Sequence, residues 1–141
     1  MSETFRLTLA QLNPTVGALR ANADKARAAW QAAKDAGAQM VALPEAFVTG
    51  YQTQDLVMRP QFYQDAMGLI DALAAECADG PAMGIGGPYH DGRNLYNAYY
   101  ILDGGAVKTR VLKQRLPNET VFDEVRHFTS ADPQGPYSIG P

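Results

Sequence analysis

The sequence is poor in the residues that build disulfide frameworks and metal centres: one cysteine, Cys77, and two histidines, His90 and His127, among 141 residues. A single cysteine excludes an internal disulfide framework and any site of several thiolates. The two histidines lie too far apart for a metal-ligand spacing, so no metal site is expected. Long apolar runs are also missing, and Glu3 and Arg6 interrupt the amino-terminal stretch MSETFRLTLAQ where a signal peptide needs an unbroken apolar region. There is no excess of positive charge: 12 Lys and Arg stand against 15 Asp and Glu, a formal net charge of -3. Neither nucleic acid nor a membrane is therefore an expected partner, and a cytoplasmic protein is predicted. No internal repeat, low-complexity tract or inter-domain linker interrupts the chain.

What is present is ordinary globular composition, 46% hydrophobic and 19% charged, in a length that suits one domain with a real core. Phe5, Leu7 and Leu9 alternate with Arg6, Thr8 and Ala10, a period of two that predicts a strand over Phe5 to Gln11, broken by Asn13-Pro14. From about Asn22, read as an N-cap, the spacing of Ala26, Trp30 and Ala33 predicts a helix that stops at Gly37. Met40 to Leu43 is apolar without alternation, the pattern of a strand covered on both faces. These three elements read as a β-α-β unit with parallel strands.

After a polar loop, QTQDL, a second helix is predicted beyond Pro60, with Phe62, Ala66, Ile70, Leu73 and Cys77 on one face and Gly80-Pro81 as its end. Cys77 on that apolar face has no base nearby in sequence and reads as structural. AMGIGGPY reads as a buried third strand. Its glycines lack both the lysine of a P-loop and the G-x-G-x-x-G spacing, so they suit close backbone packing better than a phosphate. NAYYILDGG and AVKTRVLK then form a hairpin about Gly104-Gly105. The remainder is rich in Pro, Gly and charge, with a short helical candidate over Asp123 to Phe128; it reads as an active-site loop followed by a tail.

Pro44 removes a ladder donor and ends the Met40 strand, leaving Glu45 just beyond its carboxyl end, where open α/β sheets place their ligands. A partly buried acid paired with Arg or Lys is the alternative reading of Glu45. A second polar group, Lys113, Glu119, Asp123, Glu124 and Arg126, follows the hairpin, and spacing alone does not join it to Glu45.

Three blocks carry a family resemblance: AQLNPTVG (10–17), LPEAFVTGYQTQDL (43–56) and KQRLPNETVFDEVRHF (113–128). The sequence resembles the nitrilase, or carbon-nitrogen hydrolase, superfamily, and within it the amino-terminal glutaminase domains of glutamine-dependent NAD synthetases. The resemblance implies an α/β fold, the amino-terminal part of an αββα sandwich with a mixed sheet and helices on one face, spanning 1–141 as a partial domain. It also implies amide hydrolysis by Glu, Lys and Cys through a thioester, with Glu45 as general base and Lys113 as support for the oxyanion. A primary amide is a poor electrophile and needs a thiolate, a base to make it and a fixed positive charge where the carbonyl oxygen becomes anionic.

By the same resemblance Glu124, in the FDE element, is favoured over Glu119 as the second glutamate, and Tyr51 matches a pocket-forming residue. Relatives commonly carry an aromatic residue where Glu119 stands, so Glu119 can equally be a solvated loop acid. Tyr51 can equally be a packing residue with one satisfied hydroxyl. The family's nucleophile belongs to a C-E-D-x-W type block beyond the terminal YSIGP. No nucleophile is therefore expected in this chain, and the isolated chain is expected to be inactive.

Glutamine is the implied substrate. ATP and Mg are expected only in a synthetase domain outside this sequence, and the full-length protein is expected to be a homo-oligomer. A stand-alone amidase or carbamoylase would share the same residues, and a non-catalytic fragment that only associates is the third reading.

Overall fold

The computed structural model describes residues 4–138; Glu3 and the last residues of YSIGP lie outside them. In chain order the elements are β1 (Leu7–Leu9), α1 (Leu19–Asp35), β2 (Met40–Ala42), α2 (Pro60–Glu76), β3 (Ala82–His90), β4 (Leu95–Asp103), β5 (Ala106–Leu112) and α3 (Glu124–His127). The strands form one five-stranded sheet in the order β1-β2-β3-β4-β5. The first three are parallel and the last two join antiparallel. The mixed sheet expected from the sequence is therefore present, as is the hairpin about Gly104-Gly105.

Helices cover one face. Ala23, Ala26, Trp30 and Ala33 of α1 and Ala66, Ile70, Leu73 and Ala74 of α2 pack with Val41, Met83, Ile85, Tyr100 and Leu102 of the sheet. Ile70 and Leu73 are fully buried, each contributing roughly 1.5–3 kcal/mol to docking α2. Among the described residues the buried apolar cluster on the opposite face is small, Met40, Ala82 and Ile101 with Tyr99 against it. Leu7 and Leu9 of the edge strand stay 47% and 65% exposed. In an αββα sandwich this is the face that meets the second sheet.

Three expectations are corrected. Strand β1 is shorter than the alternation suggested, because only Leu7–Leu9 pairs with β2. Asn22 is not the N-cap: α1 begins at Leu19 after Ala18. The Asn22 amide, fully buried, accepts from Thr15 N at 2.9 Å and donates to the carbonyls of Thr15 at 2.8 Å and Val48 at 3.1 Å. It satisfies a neighbouring loop rather than its own helix, and so ties the AQLNPTVG block to the segment after Glu45. Finally, QTQDL is not wholly loop, since Gln54–Met58 forms a 3-10 helix.

The region after α3 does not read as a free tail. Thr129 N donates to Leu95 O at 2.7 Å, and Ala131 N to Lys113 O at 3.2 Å. The Gln134 side chain accepts from Leu112 N at 3.1 Å and donates to Leu112 O at 2.7 Å.

Candidate active site

Beyond β2 the chain keeps following β3. Leu43 N donates to Gly84 O at 2.8 Å, Gly86 N to Pro44 O at 3.2 Å and Val48 N to Gly86 O at 3.1 Å. Glu45 and Ala46 cross directly over Gly86, where an added Cβ would lie 2.1 Å from Ala46 N and 2.6 Å from the Glu45 carbonyl carbon. Glycine is therefore required there, in keeping with the packing reading of this strand's glycines. Ala46 takes a positive φ of 51°, a conformation costing about 1 kcal/mol or more for a residue with a side chain. The turn that presents Glu45 is held against this cost by its bonds to β3.

Lys113 immediately follows β5, and its backbone N–H donates to Asn97 O at 2.8 Å. Its Nζ donates to Glu45 Oε1 at 2.6 Å and to Glu124 Oε1 at 3.1 Å. Glu124 opens α3 and is 5% exposed. Tyr51 reaches the same carboxylate, its hydroxyl donating to Glu124 Oε1 at 3.2 Å. Glu45, Lys113, Glu124 and Tyr51 thus converge, although Glu45 and Lys113 are 68 residues apart in sequence.

Glu119 does not join them. It is exposed, and among the described residues its side chain makes no ion pair or hydrogen bond; only its carbonyl is engaged, by Phe122 N at 3.0 Å. A solvated loop acid is the reading this placement favours.

Partial burial pulls the Lys113 ammonium down, but hydrogen bonds to Glu45 and Glu124 and the charges of both carboxylates together outweigh it, so its pKa is raised. With a raised folded value, the stability this cation contributes is fully present below the ordinary lysine range and is lost as pH rises through the folded value. Lys113 is accordingly charged throughout the neutral range. The Tyr51 hydroxyl is pushed up, first by burial and further by the negative charges of Glu124 and Glu45. It remains a neutral donor.

Cys77 lies at the carboxyl end of α2, buried in the core on the helix side of the sheet. Its thiol is pushed up by burial, with the Glu76 charge adding, which suits a structural cysteine. His90 stacks on Tyr63 at 4.8 Å between ring centroids, and His127 Nε2 stands 3.1 Å from Asp55 Oδ1. Among the described residues no three His, Cys, Asp or Glu side chains form a group that could hold a metal.

Two features escaped sequence reasoning. Asn97 of β4, 4% exposed, donates its side-chain amide to Glu45 Oε1 at 2.7 Å. An asparagine inside an apolar strand pattern was the only available signal. The second feature is a cavity of about 220 Å³ beside the cluster, bordered among others by Tyr51, Asp55, Asn97, Glu124 and Arg126. Glu124, Tyr51 and Asn97 belong to both cluster and cavity.

A paired carboxylate and ammonium at strand ends, backed by a second carboxylate and lying beside a small cavity, form an arrangement chemically able to do acid-base work on a polar group. Residues 6–136 match the carbon-nitrogen hydrolase family, and the chain belongs to that family. More particularly, it is 59% identical over all 141 residues to the glutamine-dependent NAD(+) synthetase of Rhodobacter capsulatus, of which it covers 26%. Among solved structures it superposes on a glutamine-dependent NAD(+) synthetase from Cytophaga hutchinsonii with a TM-score of 0.88 at 29% identity, covering 97% of this chain and 23% of that one. An amidase from Nesterenkonia sp. shares the fold, with a TM-score of 0.76 at 20% identity, covering 94% of this chain and 50% of that one. The chain spans about a quarter of the length of the curated relatives it matches.

Proposed function

We propose that this chain supplies the base and the oxyanion support of a glutamine-hydrolysing domain, which feeds ammonia to an ATP-dependent NAD synthetase. The observation that carries the reading is the bridging ammonium of Lys113, 2.6 Å from Glu45 and 3.1 Å from Glu124. The 59% identity to a glutamine-dependent NAD(+) synthetase supports glutamine as the amide.

The nucleophile is a cysteine thiol outside this chain; Cys77, buried on the helix side, does not serve. Glu45 takes the thiol proton, and the thiolate attacks the side-chain carbonyl carbon of glutamine. Lys113 stabilises the oxyanion that forms. Collapse breaks the C–N bond, Glu45 returns its proton to the departing ammonia, and a thioester remains. Water, deprotonated by Glu45, then releases glutamate and the thiol. Glu124 holds the ammonium toward the reacting carbonyl, and Tyr51 shapes the cavity that takes the glutamine side chain. ATP and magnesium belong, on this reading, to polypeptide outside this chain, and the complete protein works as a homo-oligomer.

The test is glutamine hydrolysis by the complete polypeptide carrying Lys113→Ala. Turnover is expected to fall on the order of a hundredfold or more; a variant near wild-type turnover would sink the assignment.

A further inference from the structure

Asn97 contacts both halves of the site at once. Its carbonyl accepts the Lys113 backbone N–H at 2.8 Å, and its side chain donates to Glu45 at 2.7 Å. The register of β4 on β5 pairs Ala98 with Leu112, which puts Asn97 opposite Lys113 with both side chains on the face away from the helices. On its other side Asn97 pairs with Pro88 of β3, two residues from the Gly86 over which Glu45 crosses. A carboxylate is acceptor-only. The amide nitrogen of Asn97, not its oxygen, must therefore face Glu45.

Both donors reach the same atom. Oε1 of Glu45 accepts from Asn97 at 2.7 Å and from Lys113 at 2.6 Å, which fills its two lone-pair directions. Oε2 takes no hydrogen bond among the described residues, and the Glu45 side chain is 49% exposed. Charge explains why the second donor is an amide. Glu45, Glu124 and Lys113 make two carboxylates and one ammonium, and a second cation would compete for the carboxylates that orient Lys113. A neutral donor fixes the carboxylate plane without doing so.

We infer that Asn97 is a positioning residue that locks Glu45 through Oε1 and registers Lys113 beside it, leaving Oε2 as the oxygen that accepts and returns the proton. The inference rests on the amide-hydrolase reading above. It differs from a purely structural role for a buried asparagine in predicting an effect on the reaction rather than on folding or substrate affinity.

The experiment is steady-state glutamine hydrolysis by the complete polypeptide carrying Asn97→Asp, with Asn97→Ser as a second, uncharged variant that reads the same loss should the acid weaken the fold. The kcat of both is expected to fall about tenfold or more, with KM changed by less than about threefold. For Asn97→Asp, activity relative to wild type should rise as pH falls from about 8 to about 6, because a protonated carboxyl can again donate to Oε1 while an ionised one repels Glu45. Asn97→Ser should show no such recovery. Unchanged kcat in either variant, a loss confined to KM, or a flat pH ratio for Asn97→Asp would overturn the inference while leaving the glutaminase reading in place. A wild-type protein that fails to hydrolyse glutamine would overturn both.

Discussion

Two ionic clusters join the same two stretches of chain, and they differ in charge balance and in exposure to solvent. In one, Lys113 bridges Glu45 and Glu124, with Glu124 only 7% exposed at its side chain. In the other, Arg126 grips both oxygens of Asp55 at 2.5 and 2.6 Å, and His127 stands beside them, but Arg126 and Asp55 are 57% and 65% exposed. The outer cluster has contacts as short as those of the inner one, with Nη2 of Arg126 shared between the two Asp55 oxygens. Solvent nevertheless screens it, and exposed pairs contribute about 0–1 kcal/mol. The inner cluster shares one ammonium between two carboxylates and adds a neutral amide from Asn97, while both clusters border the same cavity. Distance alone does not distinguish the two clusters; the burial of Glu124 and the neutral amide of Asn97 do.

That contrast can be broken at several points. The largest effect belongs to Gly86→Ala, whose Cβ would meet the backbone of Glu45 and Ala46 rather than a yielding side chain. It should destabilise by about 1–3 kcal/mol or more in urea unfolding, and turnover should fall with it. Next comes Glu124→Gln, which removes one of the two carboxylates orienting Lys113. Turnover on glutamine should fall about tenfold to a hundredfold; retention of full turnover would reduce Glu124 to a structural partner. The smallest effect is that of Asp55→Asn in the outer cluster. Thermal unfolding should register less than about 1 kcal/mol, shrinking further as salt rises. A larger, salt-independent loss would erase the distinction between the clusters.

Local physics made much of the frame legible. The helical spacing of Ala26, Trp30 and Ala33 and of Ala66, Ile70 and Leu73 marks residues that are buried in the structure, and β2 does stop before Glu45, although at Ala42 and not at Pro44, whose carbonyl still accepts from Gly86. The site was legible only in pieces. Glu45 announced itself by its place after a strand, whereas nothing in the spacing could bring it to Lys113, because their meeting depends on β3 and β4 lying between β2 and β5. The misses share a cause: Asn22 and Asn97 are polar residues inside regular elements that bond outside those elements, Asn22 to Thr15 and Val48 and Asn97 to Glu45. A cap preference or a strand pattern describes a residue's neighbours along the chain, and neither carries information about a carbonyl or carboxylate that the fold delivers from elsewhere.

The central claim is that Glu45 and Lys113 act as one unit. Its most direct test is the glutamine-hydrolysis rate of the complete polypeptide carrying Glu45→Gln, Lys113→Ala and both together. Residues that serve one step lose their effect once a partner is gone. The double variant should therefore be about as slow as the slower single one, whereas a rate lowered by the product of the two single losses would contradict the account.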